Sequence, residues 1–172
     1  KKLEPLDEEG LMAVMLPLME GLELVHDKNF LHRDLKPANI FIRNENSPVI
    51  LDFGSARQEL NSRNVHTALV THGYSPIEQY SENGVQGKFS DIYSLGATLY
   101  RVVCGKPPPK AIDRNSAFIE GNPDPLIPAR QLGDKTKYSE KFLKAIDHSL
   151  AFKPSDRPQN LQEWRALLLS RE

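Results

Sequence analysis

Two short stretches constrain this fold more than anything else in the chain. His32-Arg33-Asp34-Leu35-Lys36-Pro37-Ala38-Asn39 comes first, and Asp52-Phe53-Gly54 follows it. Between them lie two apolar runs, Ile40-Phe41-Ile42 and Val49-Ile50-Leu51, separated by polar Asn44-Glu45-Asn46-Ser47-Pro48. Short apolar runs bounded by turn residues predict a small hairpin. Such a hairpin carries Asp52 back beside Asp34 and Asn39. The offsets 0, +2 and +5 in the first stretch gather the Asp34 carboxylate, the Lys36 ammonium and the Asn39 carboxamide into one small space. Asp34 can accept a hydrogen bond from an attacking hydroxyl, and Lys36 can neutralise a transferring anion. Asn39 and Asp52 offer oxygens, the donors that a hard cation such as Mg²⁺ prefers. Phosphoryl transfer needs these parts, because it is mostly positioning and charge neutralisation.

Composition narrows the alternatives. The 172 residues carry 22 basic and 23 acidic side chains, so no overall field draws the chain to nucleic acid or to an anionic membrane. One cysteine, Cys104, permits neither an intrachain disulfide nor a cysteine-based zinc site. That fits a reducing compartment, and a cytoplasmic location is expected. No apolar run approaches the roughly 18 residues of a membrane-spanning helix, and no signal peptide is expected.

The rest of the chain reads as mainly helical. Leu11, Val14, Met15, Leu18, Leu22 and Val25 recur at helical steps and predict a helix over 7–28, capped by Asp7 and kinked at Pro17. His26, near its end, reads as a packed or surface histidine rather than a ligand. The polar stretch from Ser55 to Ile77 lacks periodicity, and a loop of that length in a small domain is usually functional. Residues 89–104 are apolar on nearly every side, which predicts a buried helix with Ser90 as its cap and Asp91 as a charge in need of partners. Pro107-Pro108-Pro109 reads as a rigid connection. Residues 110–137 read as irregular, with at most a short helix near Ile112 to Phe118. Helices over 139–151 and 159–170 follow; Leu161, Trp164, Leu167 and Leu168 are expected to line the inner face of the last.

The pattern H-R-D-L-x-x-x-N followed by D-F-G resembles the catalytic loop and metal loop of protein kinases. Thr71-His72-Gly73-Tyr74-Ser75-Pro76-Ile77-Glu78 resembles the end of a kinase activation segment, with Pro76-Ile77-Glu78 in place of the usual A-P-E. Lys36 is the serine/threonine-type residue, and 74–80 and 90–96 look most like bacterial members. The whole chain resembles the C-terminal lobe of a eukaryotic-like serine/threonine protein kinase. The resemblance implies a mainly α lobe with a catalytic loop at 32–39, an activation segment at 52–78 and a buried helix at 89–104.

The resemblance also implies roles. Asp34 would orient the substrate hydroxyl and accept its proton, Lys36 would neutralise the γ-phosphate, and Thr71 would buttress both. Asn39 and Asp52 would hold Mg²⁺ with ATP, and Phe41 would lie beneath the adenine, although ordinary core packing explains Phe41 equally well. Arg33 would receive a phosphate on the activation segment, with Thr67 the first candidate and Ser62 the next. His32 and Phe53 would be structural. Asp91 would take backbone amides of the catalytic loop, and Arg157 would pair with Glu78. The partners implied are a protein substrate and the small, sheet-rich lobe that completes a kinase. That lobe carries a Gly-rich loop, a strand lysine and a helix glutamate, and none of these precedes His32 here. The 172 residues alone are therefore expected to be essentially inactive. Two other classes compete: a non-catalytic kinase-like lobe used for docking proteins, and a metal-dependent phosphohydrolase built on His32, Asp34 and Asp52. The phosphohydrolase would call for a second His/Asp cluster, which the sequence lacks.

Overall fold

A computed structural model describes residues 6–43, 47–53, 57–58 and 70–170. Helix α1 (Glu8–Asp27) runs unbroken through Pro17, and the Asp7 carboxylate caps it by accepting from the Gly10 amide. Its buried stripe includes Leu11, Met15, Leu18 and Leu22, and also Met12, Met19 and His26. His26 falls four residues after Leu22, so it continues the apolar face into the interior.

Two antiparallel pairs follow α1. Strand β1 (Phe30–Leu31) pairs with β4 (Arg57–Gln58), which the sequence reading did not anticipate. Strands β2 (Ile40–Ile42) and β3 (Pro48–Ile50) form the expected hairpin, with Ile40 opposite Ile50 and Phe41 opposite Val49. Phe41 is 55% exposed, so the core reading of this residue does not apply.

Helix α2 (Lys88–Cys104) is the axis of the lobe. Eleven consecutive residues, Ser90 to Tyr100, are buried. Its cap is Gly87, not Ser90. Ser90 lies three residues further in and uses its hydroxyl to accept from the Gly87 amide, so it serves the helix start from inside. At the other end Gly105 adopts φ 75°, a left-handed stop that glycine takes without strain.

Around α2 pack α4 (Ala129–Leu132), α5 (Glu140–Ser149) and α6 (Leu161–Leu169), with α5 also lying along α6. Contact between α2 and α5 is close at Gly96, where a Cβ would collide with Ser149 Oγ. Ser139 caps α5 by accepting from the Phe142 amide, and Asn160 caps α6 through the Glu163 amide. Leu161, Trp164 and Leu168 face inward, whereas Leu167 lies on the outer side. Residues 110–137 are more ordered than their sequence suggests, since α3 (Ala111–Ile119) spans nine residues and α4 adds a turn. Among the described residues no helix is long and apolar enough to cross a membrane.

Candidate functional site

The loop at 32–39 is held from below by one buried side chain. Asp91, in the first turn of α2, is fully buried. Its Oδ2 accepts from the His32 amide and its Oδ1 from the Arg33 amide, each at 2.8 Å. His26 Nε2 donates to the same Oδ2 at 2.8 Å. Three donors thus compensate a carboxylate that burial would otherwise penalise heavily. Arg33 sits at φ 70°, and its carbonyl accepts from the Gln79 side chain at 2.9 Å.

His32 fixes the next part of the loop. Its Nδ1 accepts from the Asp34 amide at 3.3 Å, so Nε2 carries the proton and donates to the Leu51 carbonyl at 3.2 Å. Phe53 stands edge-on against the His32 ring, with centroids 4.8 Å apart. One imidazole therefore ties the loop after β1 to the chain leaving β3.

The structure brings Asp34, Lys36, Asn39 and Thr71 together. Asp34 Oδ1 accepts from the Thr71 hydroxyl at 2.7 Å. Its Oδ2 lies 2.8 Å from Lys36 Nζ and accepts from Asn39 Nδ2 at 3.0 Å. Lys36 Nζ also donates to Thr71 Oγ1 at 3.1 Å. Thr71 is in turn fixed by Ser75, whose hydroxyl accepts from the Thr71 amide at 2.9 Å. The result is a carboxylate oriented by a hydroxyl, an amide and an ammonium, buried except for a small exposed edge.

Asn39 Nδ2 spends its donor capacity inward, on the Asp34 carbonyl at 2.7 Å and on Oδ2. That leaves its amide oxygen as the acceptor for whatever approaches. The Leu51 amide donates to the Asn39 carbonyl at 2.8 Å, which sets Asp52 one residue beyond Asn39's cross-strand neighbour. One amide oxygen and one carboxylate on adjacent strand ends suit Mg²⁺, which keeps water and phosphate oxygens in its remaining positions. Among the described residues no three His, Cys, Asp or Glu side chains gather as a metal cage. A hydrolase-type metal cluster is thus not found there, and the donor set fits a magnesium–phosphate complex.

A second constellation lies at the end of the 70–80 stretch. Glu78 is buried in the turn Ile77–Tyr80 and accepts from Arg157 Nη1 at 2.7 Å and Nη2 at 3.2 Å. Ser90 Oγ donates to Glu78 Oε1 at 2.8 Å. The Arg157 guanidinium lies 4.7 Å from the centroid of the Tyr93 ring. Burial raises the Tyr74 phenol, against an opposing pull from Arg101. Thr67, and Ser62 with it, lie outside the described residues.

The sequence reading missed some partners. His26, read from the sequence only as a packed or surface histidine, could have been found from its place four residues after Leu22 on the buried stripe. Gln79 and Tyr93 carried no local signal, because their partners are remote in sequence.

A family model described as "Protein kinase domain" matches residues 1–166. A Mycobacterium tuberculosis protein named serine/threonine-protein kinase PknB is 36% identical over 171 residues, covering 96% of this chain and 26% of that protein. A Corynebacterium glutamicum protein named probable serine/threonine-protein kinase PknB is 33% identical over 179 residues, covering 95% of this chain and 27% of its own length. The chain thus spans about a quarter of the length of these curated relatives. A solved structure titled "PpkA-294 apo form" superposes with a TM-score of 0.77 at 36% identity, covering 96% of this chain and 57% of that one. By this match along nearly its whole length, the chain belongs to the protein kinase domain family, as a helical C-terminal lobe of the bacterial serine/threonine type.

Proposed function

We propose that the protein containing this lobe transfers the γ-phosphate of ATP to a serine or threonine hydroxyl of a protein substrate. The observation that carries the reading is the environment of Asp34. Its two oxygens are divided between Thr71 on one side and Lys36 with Asn39 on the other. An acceptor hydroxyl arriving at the exposed edge finds a carboxylate fixed in place; its proton passes to an Asp34 oxygen as the new O–P bond forms, while the bond from the γ-phosphorus to the β,γ-bridging oxygen breaks and ADP leaves. Lys36 lies within reach of the same point and offsets the negative charge gathering on the phosphoryl oxygens. Asn39 and Asp52 would hold Mg²⁺, which would supply positive charge to offset that of the nucleotide phosphates. Phe41, exposed on β2, offers an apolar face to the adenine. The segment ending at Glu78 would be the platform for the acceptor peptide, and the residues from 52 to 78 would form the regulated segment, with Arg33 receiving a phosphate on Thr67. The 172 residues supply base, metal ligands and platform but no Gly-rich loop and no strand lysine, so this lobe by itself should transfer phosphate negligibly.

The test uses the full-length protein. Asp34→Asn should lower phosphoryl transfer by about 10²–10⁴-fold, the range of a general-base contribution, while nucleotide affinity stays near that of the unaltered protein. Unchanged turnover would overturn the assignment.

A further inference from the structure

Two buried arginines meet across Tyr93. Arg157 covers its ring and pairs with Glu78. Arg114, on α3, is 3% exposed and donates from Nη1 to the Tyr93 hydroxyl at 3.2 Å. The Arg114 Nε and Nη2 atoms grip both oxygens of Asp124, with the shortest contact 2.6 Å. The two guanidiniums also share one piece of backbone just past α5. Arg114 takes the Leu150 carbonyl at 2.9 Å, and Arg157 takes those of Ala151 at 2.7 Å and Phe152 at 2.9 Å. Three consecutive carbonyls are therefore divided between two cations, each with its own carboxylate.

This arrangement has a mechanical meaning. Among the described residues, the one anionic partner in the hydrogen bonds of the buried Arg114 cation is Asp124, which is 44% exposed. Without that charge the guanidinium is left among neutral acceptors, which a buried cation tolerates poorly. Turning toward water would release the Tyr93 hydroxyl and the Leu150 carbonyl together. The Tyr93 ring and the 150–152 backbone are what Arg157 rests on, and Arg157 fixes Glu78. Helix α3 also touches the Ile77–Tyr80 turn directly.

We propose that Arg114 and Asp124 are positioning residues for the acceptor site, acting through Tyr93 and Arg157 to hold the 70–80 segment in register with Asp34. The proposal rests on the kinase reading for its consequence in turnover, but not for its consequence in structure. The lever is the bidentate geometry of the pair, which lysine or asparagine cannot reproduce.

The experiment measures full-length protein in two ways. Amide hydrogen exchange over residues 70–80 is compared with exchange over α1, and KM for an acceptor peptide is compared with KM for ATP. Asp124→Asn should speed exchange over 70–80 and raise the peptide KM by about fivefold, a size expected of coupled neighbours. Exchange over α1 and KM for ATP should not move. Asp124→Glu should restore both readouts. Tyr93→Phe should shift them in the same direction, and the double variant should be no worse than the stronger single one. Unchanged exchange over 70–80 in Asp124→Asn overturns the relay, as do equal changes over α1 or strictly additive effects of the two substitutions. If the unaltered protein transfers no phosphate, the kinase reading falls, and the exchange measurements still decide the relay.

Discussion

Arg33 and Asp91 meet at the most contorted point of the loop: the Arg33 amide donates to Asp91 Oδ1 at 2.8 Å while Arg33 is held at φ 70°. A left-handed conformation costs a residue with a side chain about 1–2 kcal/mol. Asp91 offsets that cost by receiving two successive amides and the His26 ring on one buried carboxylate. Asp91→Ala would leave all three donors buried without their acceptor. It should destabilise the lobe by about 3–5 kcal/mol, read as a lower urea midpoint. A loss under about 1 kcal/mol, within the range of ordinary surface changes, would show that the loop does not lean on this side chain.

The Thr71 hydroxyl stands between the Asp34 carboxylate and the Lys36 ammonium. Its removal would free Asp34 to rotate. In full-length protein Thr71→Ala should reduce kcat by about tenfold or more, in proportion to one charge-assisted hydrogen bond, with the ATP KM little changed. Thr71→Ser should keep most of the rate. Equal losses in both variants would point to the methyl group instead.

Among the described residues, Arg157→Ala would leave the buried Glu78 with only the Ser90 hydroxyl to answer its charge. The expected cost is about 3–5 kcal/mol, measured by thermal or denaturant unfolding. Arg157→Lys should recover little, because one ammonium cannot serve both Glu78 oxygens and the carbonyls of Ala151 and Phe152.

Acid should expose the Asp124–Arg114 pair. Burial pushes the Asp124 carboxyl up, but the Arg114 hydrogen bonds, the Leu126 amide and the Arg114 charge outweigh it, and the net shift is below the ordinary 3.8. A carboxyl lowered by folding contributes stability that is full above its unfolded pKa and is lost as pH falls through the lower, folded one. Denaturant midpoints taken from pH 6 downward to about 2 should therefore fall less steeply in Asp124→Asn than in the unaltered protein, starting from a lower value. Parallel curves would show that the pair contributes no acid-side linkage.

Gly96→Ala should be destabilising by about 1–3 kcal/mol, as overpacking in a tight core is, because its new methyl meets Ser149 Oγ and lies 2.8 Å from Ser149 Cβ. Ser149→Gly in the same chain removes both atoms and should recover much of the loss in a denaturant titration. No recovery would place the clash elsewhere.

What was legible in the sequence was what is local. The hairpin announced itself through two apolar runs and a polar turn, and the loop through eight consecutive residues. The cap of α2 was misread because serine and glycine both suit that position, and only the fold shows that Ser90 turns its hydroxyl back to Gly87 and onward to Glu78. Leu167 fits a helical stripe in spacing yet faces outward, because a nine-residue helix offers too few turns to fix the angle of its buried face. The β1–β4 pair has two residues per strand, too short for any periodicity. Arg114 and Asp124 sit in a stretch with no pattern at all, and their partners lie on α2 and beyond α5, so nothing in their neighbourhood could have named them.

The hairpin leaves one consequence for how such chains can change. Asn39 and Asp52 are related at the open end of β2 and β3, through the bond from the Leu51 amide to the Asn39 carbonyl. The far end, where the strands are joined, takes no part in that relation. Residues can be added or lost between Arg43 and Ser47 without moving either oxygen donor, while a single insertion next to Ile40 or Ile50 would turn one strand's faces over and separate them. Length can thus vary where the two strands are joined, but not at the two residues on either side of the opening.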